Sequence, residues 1–171
     1  YMEQCMQIKS PKVGLVNIGT EEEKGNQLTK EAYKLLDADA SINFCGNVEA
    51  RDIPLGKVDI LVCDGFTGNI ILKFMEGFGK WILGMLKVQF LKSLKTKLAA
   101  VLMKKGIGEI KEKFNYATKG GAPFLGVNGL IVKTHGSSKS QEILSTLIQT
   151  EGFIKDGLVD KIKDKFEENV N

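Results

Sequence analysis

Short apolar runs that break off into polar, glycine-rich loops constrain this chain most. They are VGLVNIG (Val13–Gly19), INFC (Ile42–Cys45), DILVC (Asp59–Cys63) and LIVKT (Leu130–Thr134). Strands apolar on both faces need cover on both sides, and helical periods separate these runs. The pattern is that of an α/β protein with a largely parallel sheet covered on two sides. Helices are expected over Asn26–Leu36, with Leu28, Ala32, Leu35 and Leu36 on one side. Others should run from about Gly68, over Ser138–Thr150, and over Gly157–Glu168. From Gly77 to Tyr116, two or three helical stretches follow one another with no strand between them, as in an insertion that protrudes as a helical hairpin.

The 171 residues suit one domain with a substantial core. No stretch is apolar for long enough to cross a bilayer. The opening YMEQCMQI lacks the basic start and cleavage region of a secretory signal. It resembles the middle of a helix without its cap, so a fragment of a longer protein is expected. Cys5, Cys45 and Cys63 form no C-x-x-C pair, and Cys45 and Cys63 lie in apolar runs, where a thiol serves as a small hydrophobe. A cytoplasmic chain is expected.

Four polar segments follow strands: NIGTEEEKGN, CGNVEARD, CDGFTGN and KTHGSS. In an open parallel sheet such loops converge at the carboxyl edge of the strands. A helix starting there points free N–H groups and its dipole at the site, which suits phosphate. The candidate side chains are Asn17, Glu21, Lys24, Asn26, Asn47, Glu49, Asp64, Asn69, Lys73 and His135. Thr67, Ser137 and Ser138 are natural caps, and Gly65, Gly68 and Gly136 would let a ligand approach the backbone. Gly19 closes the first strand. Ordinary helix caps would explain any one of these loops; four together point to a site. His135 ends an apolar strand just before Gly136-Ser137-Ser138, where a core or capping role and a site role both fit.

Several chemistries lack their motifs. Gly14 and Gly19 do not build G-x-G-x-x-G, and neither a phosphate-binding G-x-x-x-x-G-K-[ST] loop nor G-x-S-x-G nor H-E-x-x-H occurs. One histidine and scattered cysteines give little basis for a zinc site.

VGLVNIGTEEEKGN, NFCGNVEARD, VDILVCDGFTGNIILK and KGGAPFLGVNGLIVKTHGSS together resemble, in order, the motifs of the bacterial phosphate acyltransferases of phospholipid synthesis. The likeness runs from about Pro11 to the end and covers only the C-terminal half of such enzymes. It implies a three-layer fold similar to the isocitrate and isopropylmalate dehydrogenases, a homodimer, and neither metal nor organic cofactor. It also implies that acyl phosphate is made from acyl–acyl carrier protein and inorganic phosphate.

That chemistry needs an aimed phosphate dianion, a stabilised oxyanion and the exclusion of water. On this reading backbone N–H groups of Thr67–Gly68–Asn69 and His135–Gly136–Ser137 hold phosphate and oxyanion. Lys73 and Lys24 add positive charge, His135 and Asn69 orient the nucleophile, and Asp64 fixes one of these groups by hydrogen bonding. A phosphotransacetylase acting on acyl-coenzyme A would carry similar loops. The chain alone could also serve as a non-catalytic oligomerisation or membrane-docking module. A dinucleotide-dependent dehydrogenase fits the motifs less well.

Between Lys80 and Lys119 lie ten lysines and two acidic residues, Glu109 and Glu112. A helix through Phe90, Leu91, Leu94, Leu98, Val101 and Leu102 would carry one apolar stripe flanked by Lys92, Lys95, Lys97 and Lys104. The stripe could pack against its hairpin partner or a second subunit, or lie on anionic lipid, where the resemblance implies that the product passes to a membrane acyltransferase. The lysines could dock acidic acyl carrier protein. Nucleic acid is disfavoured by a net charge of only +3 and the lack of an aromatic-basic motif.

Overall fold

A computed structural model of the chain describes residues 1–3, 5–113, 120–136 and 138–168. It divides into two compact units, Met2–Phe74 and, with Tyr1, the chain from Met75 onward.

The first unit is built on a parallel sheet of β1 (Lys12–Asn17), β2 (Asn43–Glu49) and β3 (Ile60–Val62), in the order β2-β1-β3. Central β1 is buried from Val13 to Asn17, as a strand with neighbours on both edges requires. Asp59 fastens β3 to β1: its carboxylate accepts the Lys12 N–H at 2.8 Å, and its own N–H donates to the Lys12 carbonyl at 2.9 Å. Helix α1 (Gln27–Ala38) starts at Asn26, whose side chain accepts the Thr29 N–H at 2.9 Å. Its half-buried residues are Thr29, Ala32, Tyr33 and Leu36, while Leu28 and Leu35 are exposed. The inward face is therefore turned away from the expected one, and the Tyr33 ring meets Phe44 edge-on at 5.1 Å.

β2 runs farther than expected, to Glu49, and its pairing with β1 slips between Val13 and Leu15. Cys45 and Gly46 together oppose Gly14, a bulge made feasible by Gly46 at φ +84°. The expected burial of Cys45 is corrected: it is exposed, because β2 alternates here, with Asn43 and Cys45 outward and Phe44 half-buried. Cys63, beyond the end of β3, is exposed as well. A turn of 3-10 helix (Ala50–Leu55) leads from β2 toward β3. The opening Tyr1–Ser10 forms turns and bends where described, not the helix its composition suggested; Gln4 is outside the described residues.

Helix α2 (Gly65–Phe90) carries the chain past the boundary of the first unit. In the second unit follow α3 (Leu94–Leu102), α4 (Lys104–Lys113), β4 (Ala122–Pro123), β5 (Val132–Lys133), α5 (Ser140–Lys155) and α6 (Leu158–Glu168). Helix thus follows helix from Gly65 to Lys113, and α3 and α4 touch; 114–116 of the expected insertion lie outside the described residues. The single helix expected through Phe90 and Leu102 is two. Ser93 accepts the Thr96 N–H, and the Thr96 hydroxyl accepts the Ser93 N–H, a capping box that restarts the helix.

A second correction concerns LIVKT. Its strand β5 pairs antiparallel with β4 and lies outside the parallel sheet. Gly121 sets this hairpin against α5: its N–H donates to the Gln149 side chain at 2.7 Å, and an added Cβ would lie 2.6 Å from Val132 and 3.0 Å from Thr146. Among the described residues of this unit, Phe153 and Leu158 are buried and apolar, and Tyr1 meets Phe153 edge-on at 5.8 Å.

Candidate functional site

In the first unit the chain leaves β1 for β2 on one side and later returns to place β3 on the other. That reversal puts the switch point, where open parallel sheets hold ligands, between the loops after β1 and β3. Pairing sets Asn17 level with Glu49, and Leu15 with Val62 just before the β3 loop. The candidates Asn17, Glu49 and Asp64 thus stand along one carboxyl edge.

Asn17 and Asn47, each 7% exposed, hold the loop after β1 rather than facing outward. The Asn17 amide donates to the Lys24 carbonyl and to the Asn47 side-chain oxygen, both at 3.1 Å, and its own oxygen accepts the Ile18 N–H at 2.8 Å. The Asn47 amide donates to the Glu21 carbonyl at 2.8 Å. Two buried amides thus pin both ends of the Glu21–Lys24 turn, leaving the Glu21 and Lys24 side chains exposed. Gly19 lies beneath them: a Cβ there would lie 2.8 Å from both the Glu21 carboxylate and the Lys24 stem. Asn26 is occupied as the cap of α1, and Glu49 pairs with Arg51 at 2.5 Å.

Gly25 escaped the sequence reading, although a glycine just before a capping Asn was a visible sign. It has φ +95°, and a Cβ would lie 2.4 Å from the Asn17 side-chain oxygen and 2.1 Å from the Thr29 hydroxyl. Gly25→Ala should therefore destabilise the protein by about 2 kcal/mol or more. A urea midpoint equal to wild type would show that the loop relaxes freely.

At the β3–α2 junction Asp64 caps the helix. Its carboxylate accepts the N–H groups of Phe66 and Thr67 at 2.9 Å each and the Thr67 hydroxyl at 2.5 Å, while the Gly68 N–H donates to its carbonyl at 3.0 Å. The N–H groups of Thr67 and Gly68 are engaged, because a carboxylate already lies at the positive end of the helix. Gly68 is needed for close packing, with Cys63 Sγ 2.8 Å from a Cβ built there; Gly65 and Gly136 face open space. The Cys63 thiol pKa is pushed up, first by partial desolvation of its sulfur and then by the Asp64 charge, which disfavours the thiolate. Asn69 and Lys73 are exposed and one helical turn apart on α2, so they share a face.

The Asp64 carboxyl is held below the usual range, first by the Thr67 hydroxyl and then by backbone N–H groups. A depressed carboxyl stabilises the fold above its unfolded pKa of about 3.9, and that support is lost as pH falls through the lower folded value. The melting-temperature gap between wild type and Asp64→Ala should be constant from neutral pH to about 5 and close on further acidification. A gap unchanged at pH 2 would contradict the capping role.

His135 and Gly136 belong to the second unit; Ser137 lies outside the described residues. His135 is exposed, and its carbonyl accepts the Ser138 N–H at 3.0 Å. Helix α5 begins only at Ser140, with Lys139 as its cap residue, so the expected serine caps do not start it. Among the described residues no three His, Cys, Asp or Glu side chains cluster as metal ligands would.

The first unit is an α/β fold on a parallel sheet, with polar loops flanking its switch point. Residues 1–161 match the family model described as "Fatty acid synthesis protein", and the chain belongs to that family. It is 48% identical to the phosphate acyltransferase of Acetivibrio thermocellus over 97% of this chain and 49% of that protein. The phosphate acyltransferases of Clostridium tetani (50% identical over 96% of this chain) and Clostridium novyi (46% over 99%) are similar to it too. The chain spans about half the length of the curated relatives it matches.

Proposed function

We propose that this chain is the C-terminal half of a phosphate acyltransferase of phospholipid synthesis, which transfers an acyl group from acyl carrier protein to inorganic phosphate. A phosphate oxygen attacks the thioester carbonyl, the C–S bond breaks, and the carrier thiolate leaves and takes up a proton. The observation that carries this reading is the carboxyl edge of the parallel sheet, with Glu21 and Lys24 displayed by two buried amides and Asn69 and Lys73 on the adjoining helix. The relatives' shared name supports it.

With the first-turn N–H groups of α2 engaged, side chains carry the phosphate contacts: Lys24 and Lys73 supply charge, and Asn69 orients the nucleophile. Gly19 lets Lys24 lie close, and Asp64 with Thr67 fixes the turn. His135, with Gly136 and Ser137, is assigned to the acyl-transfer chemistry on the strength of the resemblance, with no metal or organic cofactor.

The test is acyl phosphate formation by the full-length protein, with long-chain acyl–acyl carrier protein and acyl-coenzyme A offered in parallel. Turnover with the carrier-protein donor is expected. Turnover only with coenzyme A would make it a phosphotransacetylase, and none from folded protein would end the acyltransferase reading.

The three-layer dehydrogenase-like fold, the protruding hairpin and the homodimer belong to the same proposal. Exposed Phe66, Ile70, Trp81 and Val88 share one face of α2 and support a subunit interface there. No helix among the described residues is long and apolar enough to cross a membrane. Exposed Leu94, Leu98, Val101 and Leu102 beside Lys92, Lys95 and Lys97 support peripheral contact with anionic lipid by a cytoplasmic enzyme. Sedimentation with anionic but not neutral vesicles, weakened by salt, is expected; equal binding to both would remove the lysines from the contact.

A further inference from the structure

The second unit contains an apolar cavity of about 160 Å³ with no part in the site above. The loop between β4 and β5 lines it with Phe124, Val127 and Leu130, and the start of α6 with Leu158, Val159 and Ile162. Its lining runs from core to solvent: Leu158 is 2% exposed, Val127 41% and Phe124 51%. Gly126, at φ +80°, turns the loop so that apolar residues on both sides of it line one space. Lys163 also lines the cavity and is exposed, so its stem extends the apolar wall while the ammonium keeps its water.

Asn128 and Lys163 are the polar side chains of a lining that is otherwise Gly126 and apolar residues, so the space suits a neutral hydrocarbon. Dry apolar cavities of roughly 150 Å³ take up benzene, so this one matches about six carbons of an alkyl chain. β5 leads from its rim to His135, which is at most about 18 Å along the backbone from Leu130, five residues at up to 3.6 Å each. A long-chain acyl group with its carbonyl at the His135 turn spans that distance.

We infer that this cavity takes the methyl-end segment of an acyl chain and sets the enzyme's chain-length preference. The inference rests on the acyl-transfer reading above. Burying each further methylene strengthens binding about fourfold, until the cavity is full.

The experiment measures binding of n-alkyl phosphonates of increasing length to the full-length protein, alongside kcat/KM for acyl donors of matching lengths. In wild type, affinity should climb with length and then level off. Val127→Trp, at an exposed loop position, should bring the plateau several carbons earlier and lower kcat/KM at least tenfold for long donors, sparing short ones. Val159→Ala, which enlarges the cavity, should move the plateau to longer chains and covers the case of a misfolded Trp variant. Identical length profiles in wild type and both variants would overturn the inference, even with acyl phosphate formed. Length-dependent alkyl binding that shifts with Val127 and Val159, but without acyl phosphate formation, would keep the cavity assignment and sink the proposed reaction.

Discussion

Asn69→Ala in the full-length protein should lower acyl phosphate turnover about 10²- to 10³-fold, the usual cost of losing one hydrogen-bond donor aimed at developing charge. The side chain is exposed on α2, one turn before Lys73 and just after a first turn whose N–H groups are taken by Asp64. With those backbone donors engaged, side-chain donors on this face carry more of the burden of orienting phosphate. Alanine favours helix and the site is at the surface, so circular dichroism and melting should be unchanged. The loss should appear in kcat more than in the KM for phosphate, because an orienting contact matters most in the transition state. Lys73→Met should instead raise the phosphate KM, as removal of a charge weakens ground state and transition state alike. Asn69→Ala turnover within twofold of wild type would take this face of α2 out of the site.

Asn17→Leu should cost about 2–5 kcal/mol of stability. The substitution leaves the Lys24 carbonyl, the Asn47 side-chain oxygen and the Ile18 N–H without their partner, at roughly 1–3 kcal/mol for each group that stays buried. That is a large part of the ordinary margin of a folded domain. Because Asn17 and Asn47 bond to each other, Asn17→Leu/Asn47→Leu should cost less than the sum of the single changes. Urea unfolding of wild type, both single variants and the double variant measures this coupling. Strict additivity, or a loss under 0.5 kcal/mol for Asn17→Leu, would show that water replaces the pair and that the loop needs no clamp.

The alternation of β1, α1, β2, β3 and α2 was legible because apolar runs of strand length and helical periods are local signals. The polar loops after those strands were legible for the same reason, and they do meet at one edge of the parallel sheet in the first unit. The inward face of α1 was not, since Leu28, Ala32, Leu35 and Leu36 are apolar together and only packing on β1 and β2 chooses among them. Nor was the fate of LIVKT: an apolar run does not say which strand it pairs with, and Gly121 against α5 commits it to a hairpin with Ala122–Pro123.

The candidate site divides along the same line. Residue type and position picked out Asn17, Asn47, Asp64 and Lys24, because polar groups at strand ends are visible in one dimension. Their separate tasks depend on where each hydrogen bond ends, and those ends lie far apart in sequence. Asn17 reaches Asn47, thirty residues away, so two residues that looked like ligand contacts form an internal clamp. Asp64 fills the helix terminus that looked free for phosphate. Composition and period are properties of neighbours along the chain and settled most of the elements and their order; partner, burial and register arise when distant segments meet, and they settled which polar groups face solvent.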